Sequence, residues 1–216
     1  MLDHEGTVEV AENEDSIYSR TRLTDLKDRI EEANIYIKNR NLSKSQQKIV
    51  SKVFAYFTQV AKFKANKPPN KHISFQELYS KSICPPRLLL TGDPGSGKSY
   101  TTETIVELAT ILNLGSVATT SYNGIAAVNV DGSTICSMFA IFETSDASKC
   151  KTLDSDTVAN LRNKLNIDSM CFLVIDEVST IDSRIVALLD LRLRQITAAE
   201  LPFGGIPILF TGDFNQ

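Results

Sequence analysis

The stretch Gly92-Asp93-Pro94-Gly95-Ser96-Gly97-Lys98-Ser99 fits the pattern G-x-x-x-x-G-K-[ST] at every fixed position. It follows a short apolar run, Leu88–Thr91, and opens a helical pattern from Lys98 to about Leu112. A strand that turns through glycines into a helix N-terminus is suited to binding a nucleoside triphosphate. The glycines let the loop fold so that its N–H groups converge on phosphate oxygens. The helix start adds partial positive charge. In such a loop Lys98 is expected to reach the β and γ phosphates, and the Ser99 hydroxyl to ligate Mg²⁺. Gly92, Asp93, Pro94, Gly95, Ser96, Gly97, Lys98 and Ser99, with Tyr100 just beyond, are the expected nucleotide-binding residues. The pattern is silent on what the triphosphate is used for.

The flanking sequence agrees with a strand–loop–helix unit. Apolar runs at Val117–Thr120, Met170–Ile175 and Ile206–Thr211 alternate with helical patterns near 157–165 and from about 181 to 196. Runs of this kind, without period-two alternation, predict a parallel sheet buried on both faces. The predicted fold class is therefore α/β over 87–216, with helices flanking the sheet. A helical extension precedes it. Leu23, Leu26, Ile30, Ala33 and Ile37 recur at helical spacing. Ser43 and Gln46 have the spacing of a capping box, which predicts a second helix from about 44 to 63. Lys67-Pro68-Pro69-Asn70 breaks it, and the stretch to Pro85-Pro86 reads as linker with one short helix. The expected divisions are an acidic disordered tail over 1–16, a helical extension with linker over 17–86, and the nucleotide-binding domain over 87–216.

Two further strands end in polar residues. Leu173-Val174-Ile175 runs into Asp176-Glu177, and Ile208-Leu209-Phe210-Thr211-Gly212 runs into Asp213-Phe214-Asn215-Gln216. The carboxyl ends of buried parallel strands face the ligand crevice in open α/β sheets. Asp176 is expected to hold Mg²⁺, directly or through water. Glu177 is expected to orient and polarise the attacking water. If the last strand lies beside the first, Asp213 and Gln216 arrive near the γ-phosphate, where an amide can report its presence.

Charge is unevenly spread along the chain. Residues 1–16 carry six acids and no Lys or Arg, 17–87 carry fifteen Lys/Arg against five acids, and 88–216 carry eight against fifteen. The basic middle is either an electrostatic footprint for a polyanion or a solvated helix face. The acidic start does not resemble a signal or transit peptide, and no apolar run approaches the ~20 residues of a spanning helix. Cys84, Cys136, Cys150 and Cys171 form no C-x-x-C pair, and only His4 and His72 accompany them. They read as reduced thiols of an intracellular protein rather than zinc ligands, with Cys171 in the core.

Taken with the phosphate loop, Asp176-Glu177-Val178-Ser179 and Gly212-Asp213-Phe214-Asn215-Gln216 resemble the first motor domain of superfamily 1 DNA helicases. The resemblance is to the Pif-type branch, related to RecD. Leu42-Ser43-Lys44-Ser45-Gln46 looks like that family's adenine-reading Q motif, with Gln46 as the reader. Asn123-Gly124-Ile125-Ala126-Ala127 and Gly132-Ser133-Thr134-Ile135-Cys136-Ser137 resemble its segment along single-stranded DNA. Cys136 stands where the family usually has His, and Asn123 where it usually has Thr. Phe203-Gly204-Gly205-Ile206-Pro207 leads into the last strand as the family's does. These matches cover about 42–216.

The resemblance implies a RecA-like fold, ATP and Mg²⁺ as cofactors, and 5′-to-3′ movement on single-stranded DNA. It also implies genome-maintenance roles in repair, recombination and at telomeres, and a nuclear location in a eukaryote. Lys98, Glu177 and Gln216 are the implied catalytic residues, and Ser99 and Asp176 the implied metal ligands. Thr120, Ser121 and Asn123 follow the second predicted strand and are expected to meet DNA phosphates. Phe139 and Phe142 suit either base stacking or core packing. The family continues with a second RecA-like domain whose arginines complete the ATP site. The 216-residue chain is therefore expected to be a fragment that binds ATP without unwinding DNA. Competing readings are another phosphate-loop enzyme, such as a GTPase or small-molecule kinase, and a non-catalytic remnant of a mobile element. Asn66-Lys67 lacks the Asp two residues on that guanine specificity calls for.

Overall fold

The computed structural model describes residues 14–68, 71–122, 134–141 and 152–214, with 14–20 described as backbone only. Two long helices, α1 (Glu14–Asn39) and α2 (Lys44–Ala65), and a short α3 (Phe75–Ser80) precede the sheet. The sheet domain follows as β1 (Arg87–Thr91), α4 (Lys98–Ile111), β2 (Ser116–Ser121), α5 (Ile135–Met138), α6 (Ser155–Leu165), β3 (Met170–Asp176), α7 (Ser183–Thr197) and β4 (Ile208–Gly212). A 3₁₀ turn over Val178–Thr180 leaves β3, and another over Pro202–Gly205 leads towards β4. Helix α1 starts at Glu14, inside the segment read as an acidic tail. Among the described residues no helix is long and apolar enough to cross a membrane.

The four strands are all parallel, in the order β1-β4-β3-β2. Their carboxyl ends therefore share one edge. Successive residues of β3 point to opposite faces. Phe172 and Val174 join α1, α2 and α4 in one core, while Leu173 and Ile175 join α5, α6 and α7 in the other. This three-layer arrangement explains the unalternated run, since β3 is buried on both faces. The expectation of burial on both faces fails at β1. Its Leu88 and Leu90 meet the first core, but Leu89 is 54% exposed. The cause is strand order: β1 is the edge of the described sheet and helices cover only one of its faces.

Helix α2 begins as its residues predict. The Ser43 hydroxyl accepts from the Gln46 N–H, and the Gln46 carboxamide oxygen accepts from the Ser43 N–H at 2.8 Å. Its inward face, Val50, Val53, Phe57 and Val60, packs on the sheet, with the Phe57 ring edge-on to Phe172 at 5.7 Å. Cys171 is buried here, as expected.

Burial pushes the Cys171 thiol from 9.0 up to about 12 and raises the Tyr56 hydroxyl above its ordinary 10.0. Both groups are thus held neutral in the fold and ionise more readily when unfolded. Their contribution to stability is complete below about pH 9 and is lost as pH climbs towards the folded values. Lys64, pushed down by burial, acts in the opposite sense through a smaller shift. The urea midpoint is expected to be lower at about pH 11 than at about pH 8. An unchanged midpoint would show that these two groups do not govern alkaline stability.

Candidate nucleotide-binding site

The loop after β1 is shaped by its glycines. Gly95 and Gly97 have φ of 76° and 84°, in the left-handed region that side chains disfavour. A Cβ at Gly97 would also lie 2.5 Å from Gln46 Nε2. The Ser96 N–H closes a turn onto the Asp93 carbonyl at 3.1 Å. Helix α4 then starts at Lys98, and Asp93, Pro94, Gly95, Ser96 and Ser99 are exposed to an incoming ligand. Lys98 Nζ folds back over the loop, donating to the carbonyls of Gly92 at 2.5 Å and Asp93 at 3.1 Å. A flexible ammonium held only by neutral carbonyls can turn towards a phosphate, a stronger, charged acceptor.

Strand β4 joins this loop to the acidic pair. It lies between β1 and β3, so the loop and Asp176 stand about 10 Å apart, two strand spacings. The Gly92 N–H donates to the Gly212 carbonyl at 3.2 Å. One residue earlier, the Thr211 hydroxyl donates to Asp176 Oδ1, which also accepts from the Glu177 N–H at 2.9 Å. A Cβ at Gly212 would lie 2.9 Å from Val178 Cγ1, so the end of β4 is pressed against the turn that follows Glu177. Glu177 itself has φ 56°. A non-glycine residue in that region is uncommon and costs roughly 1–2 kcal/mol. The strain turns the chain sharply off β3 and leaves the Glu177 side chain half-buried at the sheet edge.

The side chains present suit a magnesium ion bound together with phosphates. Mg²⁺ usually takes one or two carboxylates, substrate phosphates and several waters rather than an all-protein cage. Ser99 is exposed in the first turn of α4. Asp176 Oδ2 accepts no hydrogen bond among the described residues. No group of three or more His, Cys, Asp or Glu suited to a metal occurs among those residues either.

Gln46 reaches the loop from α2. Its Nε2 donates to the carbonyls of Ser96 at 3.2 Å and Gly97 at 3.1 Å, while its oxygen stays on Ser43. The amide nitrogen of this expected adenine reader is thus bonded to the loop backbone in this conformation. Gln46→Ala removes all three bonds from a buried position and is expected to cost about 1–3 kcal/mol in stability, read by urea denaturation. A loss below that range would mean that Gln46 does not support the loop.

Arg40, which the sequence did not single out, closes the same side. Its guanidinium lies over the Tyr100 ring at 3.6 Å, donates to Thr104 Oγ1 at 3.2 Å and the Tyr100 carbonyl at 3.3 Å, and pairs with Glu103 at 3.5 Å. Tyr100 is therefore stacked within the protein. Thr211 was also missed. The one signal for it was a hydroxyl at the end of the apolar run Ile206–Thr211.

Thr120 and Ser121 require a correction. Both are fully buried, so neither hydroxyl is offered to a DNA strand in this conformation. Ser121 pairs in register with Asp176 on one side and bridges to Thr134 on the other, which covers the end of β2. Phe139 is fully buried in the second core and takes the packing role. Asp213 is buried just beyond β4. Asn123, Phe142 and Gln216 lie outside the described residues.

A family model described as PIF1-like helicase matches residues 79–216. The chain is 38% identical over 132 residues to the ATP-dependent DNA helicase PIF4 of Trypanosoma brucei brucei, covering 60% of this chain and 16% of that protein. It is 36% identical over 131 residues to the ATP-dependent DNA helicase PIF1 of Saccharomyces cerevisiae, covering 60% and 15%. It spans about a sixth of the length of these relatives. The structure superposes on that of Bacteroides Pif1 bound to ssDNA with a TM-score of 0.50 at 26% identity, over 66% of this chain and 32% of that one.

Proposed function

Because the chain belongs to the PIF1-like helicase family, we propose that it is the ATP-binding motor portion of a DNA helicase that unwinds duplex while moving 5′-to-3′ on single-stranded DNA. The observation carrying this reading is that the phosphate loop, Asp176 and Glu177 meet at one sheet edge, tied through Gly92–Gly212 and Thr211–Asp176. In this reading Gly92–Tyr100 binds the triphosphate and Lys98 neutralises its terminal phosphates. Ser99 and Asp176 hold Mg²⁺, which would supply charge neutralisation on the phosphates when bound. Glu177 orients and deprotonates the attacking water, and Gln216 senses the γ-phosphate. Gln46 reads adenine once its bonds to the loop are exchanged. Genome maintenance, in a nucleus if the source is eukaryotic, is the process such a motor serves.

The family resemblance puts the completing arginines in a second RecA-like domain. An arginine supplied across such a site is worth roughly 10³–10⁵ in turnover. The 216 residues alone are therefore expected to bind ATP but hydrolyse it near background and leave duplex DNA closed. Displacement of a fluorescent nucleotide by ATP and by GTP tests the reading. Preferential displacement by ATP supports it, and equal or better displacement by GTP overturns it. ATP-stimulated strand separation by the purified 216-residue chain would overturn the division of labour.

A further inference from the structure

Helix α2 carries five lysines and no carboxylate. Lys64 is committed to the Leu114 carbonyl at 2.8 Å. Lys44, Lys48 and Lys52 are different. Each follows the last by four residues, so they climb one side of the helix in steps of about 6 Å. All three are exposed. None has an ion-pair or hydrogen-bond partner among the described residues. The arrangement works against the helix itself, because like charges at this spacing repel and Lys44 sits at the positive end of the dipole. The helix cannot rotate to relieve it. Val50, Val53, Phe57 and Val60 are locked in the core, and Gln46 is bound to the phosphate loop. A rigid ladder of three uncompensated cations is preorganised for a chain of anions.

We propose that Lys44, Lys48 and Lys52 form a docking track for the phosphate backbone of a single DNA strand, separate from the polar sheet edge. The inference rests on the helicase reading for the identity of the polyanion. Charge complementarity supports this side of the molecule. Residues 17–87 hold fifteen Lys/Arg against five acids, whereas 88–216 hold eight against fifteen, so a polyanion is steered to the helical extension. Because Lys44 stands two residues before Gln46, the track starts beside the nucleotide loop and leads away from it along α2.

Fluorescence anisotropy of a labelled oligothymidylate, titrated with the chain at several salt concentrations, tests the track. Replacing all three residues, Lys44→Gln, Lys48→Gln and Lys52→Gln, keeps good helix formers on an exposed face, and circular dichroism checks the fold. Each neutralised phosphate on a single strand contributes about 0.7 to the slope of log affinity against log salt. The triple variant is expected to bind with a slope about 2 shallower than the parent, while Lys164→Gln on α6, which packs on the other face of the sheet, leaves it unchanged. A parental slope in the triple variant overturns the track alone. Competition by polyglutamate as effective as by oligothymidylate overturns the assignment to nucleic acid. No oligonucleotide binding by the parent overturns the track together with the functional reading.

Discussion

A Lys98→Ala chain is expected to hold ATP about 10–100-fold more weakly than the parent, the loss of one charged hydrogen-bonding partner of the phosphates. The fold should hardly notice. Lys98 Nζ bonds only to carbonyls of its own loop. Its removal takes no apolar group from either core. Displacement of a fluorescent nucleotide gives the affinity and thermal melting gives the control. The contrast between nucleotides sharpens the result. Adenosine monophosphate, which lacks the β and γ phosphates, should bind parent and variant alike. An unchanged ATP affinity would remove the phosphate loop from the functional argument.

Phe172→Ala is expected to cost about 3–5 kcal/mol, the range for truncating a fully buried aromatic ring. Phe172 projects from the central strand β3, and its ring meets the edge of Phe57 on α2. Its loss opens a cavity where the helical extension is bonded to the sheet domain by packing. For a chain of this size that corresponds to a fall of roughly 10 °C in melting temperature. Against a typical total of about 5–15 kcal/mol, the variant approaches the margin of folding. Phe172→Leu, which refills most of the space, should recover much of the loss. If Phe172→Ala melts within a degree or two of the parent, α2 and the sheet do not share one core.

Local signals made much of this architecture legible. The Ser43–Gln46 box marks the start of α2, and the phosphate loop marks the turn from β1 into α4. What escaped depends on partners distant in the chain. Leu89 reads like its neighbours in an apolar run, yet its exposure is decided by β1 lying at the described edge of the sheet. Thr120 and Ser121 read as polar strand-end residues facing a ligand, but both are fully buried, and Ser121 is bridged to Thr134. Gln46 was legible as a cap and by resemblance as a base reader. Its bonds to carbonyls fifty residues away were not. Arg40 had no signature at all, because a guanidinium becomes a clamp only when folding brings Tyr100 and Thr104 beneath it.

The position of β4 has a kinetic consequence. Its last residues are bonded on one side to Gly92 and on the other to Asp176. Fraying of that strand end would release both partners in a single opening event. Deuterium uptake at the Gly92 amide, whose acceptor is the Gly212 carbonyl, should then report the same opening that frees the Asp176 carboxylate.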